Sequence, residues 1–74
     1  MILKCQVLDK FDEEPIHIEL DSIPQIGSTI TLPGNMRFKV ANVDYYMTEY
    51  VKGDKTIYVC KGTEFVDIYL DEIH

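Results

Sequence analysis

Met36-Arg37-Phe38-Lys39-Val40-Ala41-Asn42-Val43-Asp44-Tyr45-Tyr46-Met47 is the longest strand-like run in the chain, and its alternation breaks once. Phe38 and Val40 share one phase, whereas Ala41, Val43, Tyr45 and Met47 share the opposite one. Side chains of a strand alternate between its two faces, so a change of phase near Ala41-Asn42 predicts a β-bulge or sharp bend. Such a device lets one long strand turn the corner of a small barrel. A competing local reading makes residues 44–50 a short helical turn.

The flanking segments repeat the period of two. Upstream, Thr29-Ile30-Thr31-Leu32 is a short strand, and Pro33-Gly34-Asn35 has the chemistry of a type II turn, with proline at its second position and glycine at its third. Before it, Pro24 biases Ile23 toward extended backbone, and Gly27 permits a conformation that a side chain forbids. Ile16, Ile18 and Leu20 line one face of a half-buried strand. Leu3, Cys5 and Val7 do the same in residues 2–8. The polar stretch Phe11-Asp12-Glu13-Glu14-Pro15 joins these two into a first hairpin. Downstream, Val51-Lys52-Gly53-Asp54-Lys55 closes a hairpin onto Thr56-Ile57-Tyr58-Val59-Cys60. After a break at Lys61-Gly62-Thr63, residues 65–70 form a last strand with Val66, Ile68 and Leu70 inward. The expected architecture is all-β: a single domain, 1–74, forming a small antiparallel SH3-like barrel of five or six short strands.

The motifs Ile23-Pro24-Gln25-Ile26-Gly27, Ile30-Thr31-Leu32-Pro33-Gly34 and Phe38-Lys39-Val40-Ala41-Asn42-Val43-Asp44-Tyr45 together resemble small uncharacterised SH3-like β-barrel proteins of bacteria and phages. There a Pro-x-Ile-Gly entry leads through a short strand and a tight turn to a long bent strand reading Val-x-x-Val. The resemblance spans roughly half of the chain. It implies a barrel and a bacterial or mobile-element origin, and it brings no catalytic residue with it.

The totals narrow the function. Ordering 74 residues costs on the order of 100 kcal/mol of conformational entropy, so nearly every apolar side chain is needed for the core. A deep substrate cavity does not fit that arithmetic. The formal charge is −6, from 13 acidic and 7 basic residues with a single arginine, which argues against direct nucleic-acid binding. No apolar run reaches the roughly 18–20 residues of a membrane span. Met1-Ile2-Leu3-Lys4-Cys5 is not followed by the pattern of an export signal, so the expected location is cytoplasmic, with Cys5 and Cys60 reduced and packed.

Chemistry-bearing residues are scattered. Asp12-Glu13-Glu14 lacks the alternate ligand spacing and the glycine of a calcium loop, and reads as a solvated hairpin tip. A zinc site would need His17, His74, Cys5 and Cys60 or carboxylates to converge from separate segments. Ser22 and Ser28 lie outside any nucleophile motif, and Gly27, Gly34, Gly53 and Gly62 are isolated at turns. The sequence names no catalytic residue, no metal and no cofactor, and the expectation is that the chain is not an enzyme.

Tyrosine is the informative residue type. Tyr45, Tyr46, Tyr50, Tyr58 and Tyr69 all fall in the second half of the chain. They serve either as caps over the open ends of a barrel or as a binding surface, since a phenol offers rigid contact area with a polar tip. The leading reading is a non-enzymatic protein-binding module. Its candidate residues are Tyr46, Tyr50, Tyr58 and Tyr69, rimmed by Asp67, Asp71 and Glu72 with Glu64 nearby. The partner is another protein, a second copy of the chain among the candidates, and strand addition at residues 2–8 or 65–70 is one possible mode. The alternative is an acidic, phage-type inhibitor that blocks a nucleic-acid or nucleotide site of a host defence protein. Its groups would come from the acid-rich segments 9–21 and 64–72. A third reading, a small-ligand site formed between subunits, has no residues to name.

Overall fold

The computed structural model describes residues 1–74. It contains seven strands in chain order: β1 (Ile2–Val7), β2 (Ile16–Glu19), β3 (Thr29–Leu32), β4 (Met36–Tyr45), β5 (Thr48–Lys52), β6 (Lys55–Val59) and β7 (Val66–Glu72), with one 3-10 turn at Thr63–Phe65. Residues 44–50 are extended, so the helical-turn reading is replaced by the end of β4 and the start of β5.

Five strands form one sheet in the order β2-β1-β7-β4-β3, which curls into a half-barrel. The all-β, barrel-like character follows from the alternation, and the expected hairpins β1–β2 and β5–β6 are present. β1 pairs antiparallel with β2, and β3 pairs with β4 across Pro33-Gly34-Asn35. Gly34 has φ 87, the left-handed value that the third position of a type II turn requires. Seven strands replace the five or six expected, and two details depart from a wholly antiparallel barrel. β1 and β7 run parallel, with Cys5 beside Ile68 and Val7 beside Leu70. The sheet is also closed on itself less than a barrel is, its free edges being β2 and β3. Segments 2–8 and 65–70, expected as edges for strand addition, are instead interior: β1 is flanked by β2 and β7, and β7 by β1 and β4.

The bulge lies where the phase change places it. Val40 opposes Leu70 and Asn42 opposes Tyr69, leaving Ala41 as the extra residue. Phe38 and Val40 before it, and Val43 after it, all reach the same concave face. A second irregularity mirrors it on the other side of β4. There Gly27 donates to the Val40 carbonyl while the Val40 amide donates to Ser28, so two residues oppose one, with Gly27 at φ 95.

The core is small. Leu3, Cys5, Val7, Phe38, Val40, Val66, Ile68 and Leu70 are buried, with Ile16, Ile18, Ile30, Leu32 and Val43 packed around them. β5 and β6 contribute nothing to it. They form a separate two-stranded ribbon rising from the end of β4, where the Tyr46 amide still donates to Phe65. The molecule is 52 Å along its longest axis. Its radius of gyration is 14.7 Å, where a compact chain of this length has about 11 Å.

Candidate functional site

The convex face of the sheet collects the outward residues into rows. One row runs His17–Lys4–Asp67–Asp44 across β2, β1, β7 and β4; the next runs Gln6–Tyr69–Asn42. Asp44 and Asp67 stand directly opposite each other, a repulsive arrangement that Lys4 relieves by approaching Asp67 at 3.1 Å. Tyr46, on the same phase as Asp44, leans over this row toward Tyr69. Its hydrogen-bonding and charge interactions with Tyr69, then desolvation, then Asp44 and Asp67, push its phenol up to about 12.

Tyr69 is less available than its outward phase implies. The 9–15 loop folds over it: Gln6 Nε2 donates to the carbonyls of Lys10 at 3.0 Å and Glu13 at 3.3 Å. Phe11 then meets the Tyr69 ring edge-on at 6.4 Å. Asp71 lies further along the convex face, opposite Lys39. Glu72 does not join that rim. It shares the inward phase of Leu70, stands opposite Phe38, and ties to Lys10 at 3.2 Å. Adjacent residues of one strand point to opposite faces, so Asp71 and Glu72 cannot line one surface. Lys10, held by its bond to Glu72 and the nearby charges of Glu72 and Glu13, has its ammonium pKa raised.

Tyr50 and Tyr58 lie elsewhere, on the β5–β6 arm. Lys52-Gly53-Asp54-Lys55 makes its tight turn, with Gly53 at φ 66 in the first central position, as a type II′ hairpin requires. The register places Thr48 with Val59, Tyr50 with Ile57 and Lys52 with Lys55 on one face, and Glu49 with Tyr58 and Val51 with Thr56 on the other. Both faces are therefore apolar in part and both are uncovered: Tyr50 is 48%, Tyr58 64% and Val51 74% exposed. A lone two-stranded ribbon is marginal in water. This one also carries Lys52 and Lys55 side by side at its tip, and neither is in an ion pair.

The seven candidate residues thus divide. Tyr46, Tyr69 and Asp67 come together on the convex face; Tyr50 and Tyr58 both lie on the arm but on its opposite faces; Asp71 stands apart, and Glu72 is on the other side. Val51, Ile57, Lys52 and Lys55 belong with the arm and were not singled out by sequence. Their signal was present in the unbroken apolar run from Ile57 to Cys60, which has no polar face to turn to solvent.

Other chemistry is sparse. A shallow depression of about 270 Å³ is lined by Ile2, Lys4, His17, Thr63 and Glu64, with Ile2 its one apolar wall. No three His, Cys, Asp or Glu side chains are grouped to hold a metal ion. Cys5 and Cys60 are free thiols. Cys5 is buried, which pushes its pKa up to about 11, and the half-buried Cys60 points at the carbonyls of Gly62 and Phe65. No helix is long and apolar enough to cross a membrane. Comparison with protein-family models, with curated proteins and with solved structures gives no match.

Proposed function

We propose that this chain is a non-enzymatic protein-binding module whose principal binding element is the β5–β6 arm. One observation carries the reading: a ribbon that shares no core with its own domain presents Tyr50, Val51 and Tyr58 to solvent. Tyrosine rings give large contact area at little side-chain entropic cost, and Lys52 and Lys55 at the tip select a partner surface that is apolar at its centre and acidic at its rim. The Tyr46–Tyr69 face adjoins the root of the arm and extends the same surface.

The acidic-inhibitor reading draws on a different observation. Asp9, Asp12, Glu13, Glu14, Glu19 and Asp21 are all exposed. The second acid-rich segment contributes less, because Asp67 is engaged by Lys4 and Glu72 by Lys10.

One experiment separates the two. Tagged wild-type protein and a Tyr50→Ser/Val51→Ser/Tyr58→Ser variant are used to capture proteins from lysate, with washes at low and high salt. An arm-mediated contact survives high salt and is lost in the variant. An acid-mediated contact is lost at high salt and unaffected by the variant, and that result would overturn the arm reading.

A further inference from the structure

The arm's partner can be specified from surface area, charge and the placement of two features at opposite ends of the molecule. The accessible surface is 5550 Å², against about 4,700 Å² for a compact monomer of this mass. The excess, about 850 Å², is close to the roughly 800 Å² that each partner contributes to a stable interface of standard size. Charge is divided in the same way. On the arm, Glu49 and Asp54 balance Lys52 and Lys55, so the whole formal charge of −6 lies on the body.

The body offers a surface that matches the arm at the 9–15 loop. Phe11 is 59% exposed and adjoins the exposed Asp12, Glu13 and Glu14, an apolar anchor beside a carboxylate run. Ile26 lies between Gln25 and Gly27 and Met36 is followed by Arg37, while Tyr45 and Tyr46, beside Asp44, lie at the root of the arm itself. The arm carries the converse pattern on one face, Tyr50 and Ile57 beside Lys52 and Lys55.

The two surfaces cannot meet within one chain. β7 starts at the root of the arm, where Tyr45 pairs with Val66, and ends by the 9–15 loop, where Leu8 donates to Leu70 and Lys10 reaches Glu72. Arm and loop therefore lie at opposite ends of the sheet. Two copies placed side by side with their long axes antiparallel bring each arm beside the other's loop, and a two-fold axis makes both contacts at once.

We propose that the arm's partner is a second copy of this chain, in a closed two-fold dimer in which Tyr50, Ile57, Lys52 and Lys55, which share one face of the arm, dock on Phe11, Asp12, Glu13 and Glu14 of the other copy. The proposal rests on the arm being the binding element. Sedimentation velocity over a concentration series tests it with three proteins: wild type, Lys52→Glu/Lys55→Glu, and that variant combined with Glu13→Lys/Glu14→Lys. Wild type sediments as a discrete dimer. The arm reversal weakens the dimer by at least about tenfold, since like charges then face each other, and the combined reversal restores it. An open series of larger species, or a dimer indifferent to the arm reversal, overturns the closed exchange. A wild type that stays monomeric overturns it as well. In that case, lysate capture that depends on Tyr50, Val51 and Tyr58 would leave the binding-module reading standing, and capture that ignores them would remove both.

Discussion

Deleting Ala41 tests how this sheet obtains its curvature. Ala41 is the one residue of β4 between its paired stretches that has no partner on β7, because Val40 opposes Leu70 and Asn42 opposes Tyr69. Removing it joins two stretches that are already in register. Phe38 keeps Glu72, Val43 keeps Ile68, and no side chain changes face. Ala41 is exposed, so no buried surface is lost. The cost is that of relaxing the bend, about 1–2 kcal/mol. Deleting Lys39 closes the same gap by another route. Val40 slides to face Asp71, and Ala41 takes its place opposite Leu70. The bend is lost here too, but the fully buried Val40 is now on the convex face with an alanine in its position. Two buried carbons are removed from the core, which adds about 2–3 kcal/mol with the cavity left behind. A domain of 74 residues has about 4–11 kcal/mol in total, so that difference is a large share of it. Urea unfolding followed by far-UV circular dichroism measures both deletions on one scale. If the two lose the same stability within about 0.5 kcal/mol, or if the Ala41 deletion is the worse, the account of Ala41 as a spare residue is wrong.

Two further outcomes follow from the surroundings of single groups. The Tyr46 phenol, raised from 10.0 to about 12, keeps its proton in the folded state at pH values where the unfolded chain gives its own up. Its stabilising contribution is therefore complete below pH 10 and is lost as pH rises through 12; ultraviolet phenolate titration should show a late component that Tyr46→Phe removes and Tyr69→Phe shifts downward. Among the thiols, Cys60 should react first with an alkylating reagent under native conditions, and Cys5, 1% exposed and with its pKa pushed up to about 11, only when the domain opens. Peptide mapping that finds Cys5 labelled as fast as Cys60 would contradict the packing of β1.

What the sequence reveals and what it hides differ in physical kind. The bulge was legible because Phe38, Val40 and Val43 must all reach one core, and no regular strand achieves that. The turns were legible because Gly34 and Gly53 occupy positive φ values that few other residues tolerate. Pairing was not legible. Alternation tells which side of a strand is apolar but not which strand lies beside it, so the parallel partnership of β1 and β7 left no local trace. The site was half legible for a related reason. Tyr46 and Tyr69 were both among the candidates and lie on one face, yet alternation alone left open which of Tyr45 and Tyr46 faces outward and could not show Phe11 covering Tyr69. The Glu72 placement failed because acidity was read along the chain, whereas a strand divides neighbours between faces. The arm was hidden by an assumption that an apolar run such as Ile57-Tyr58-Val59 belongs to the core.

The central position of β7 also governs the order in which the fold can form. β7 is the last of the seven strands to be synthesised, yet it is the one on which the sheet converges. Until Val66–Glu72 arrives, the β1–β2 and β3–β4 hairpins have no strand in common, and each leaves one side of its inner member unpaired. Closure then joins the first strand to the last, a long loop whose entropy is spent before any contact rewards it, which makes folding slow for so short a chain. Throughout that interval the open sides of β1 and β4 can be bridged by strands of neighbouring nascent chains, so misassembly competes with folding until β7 is in place.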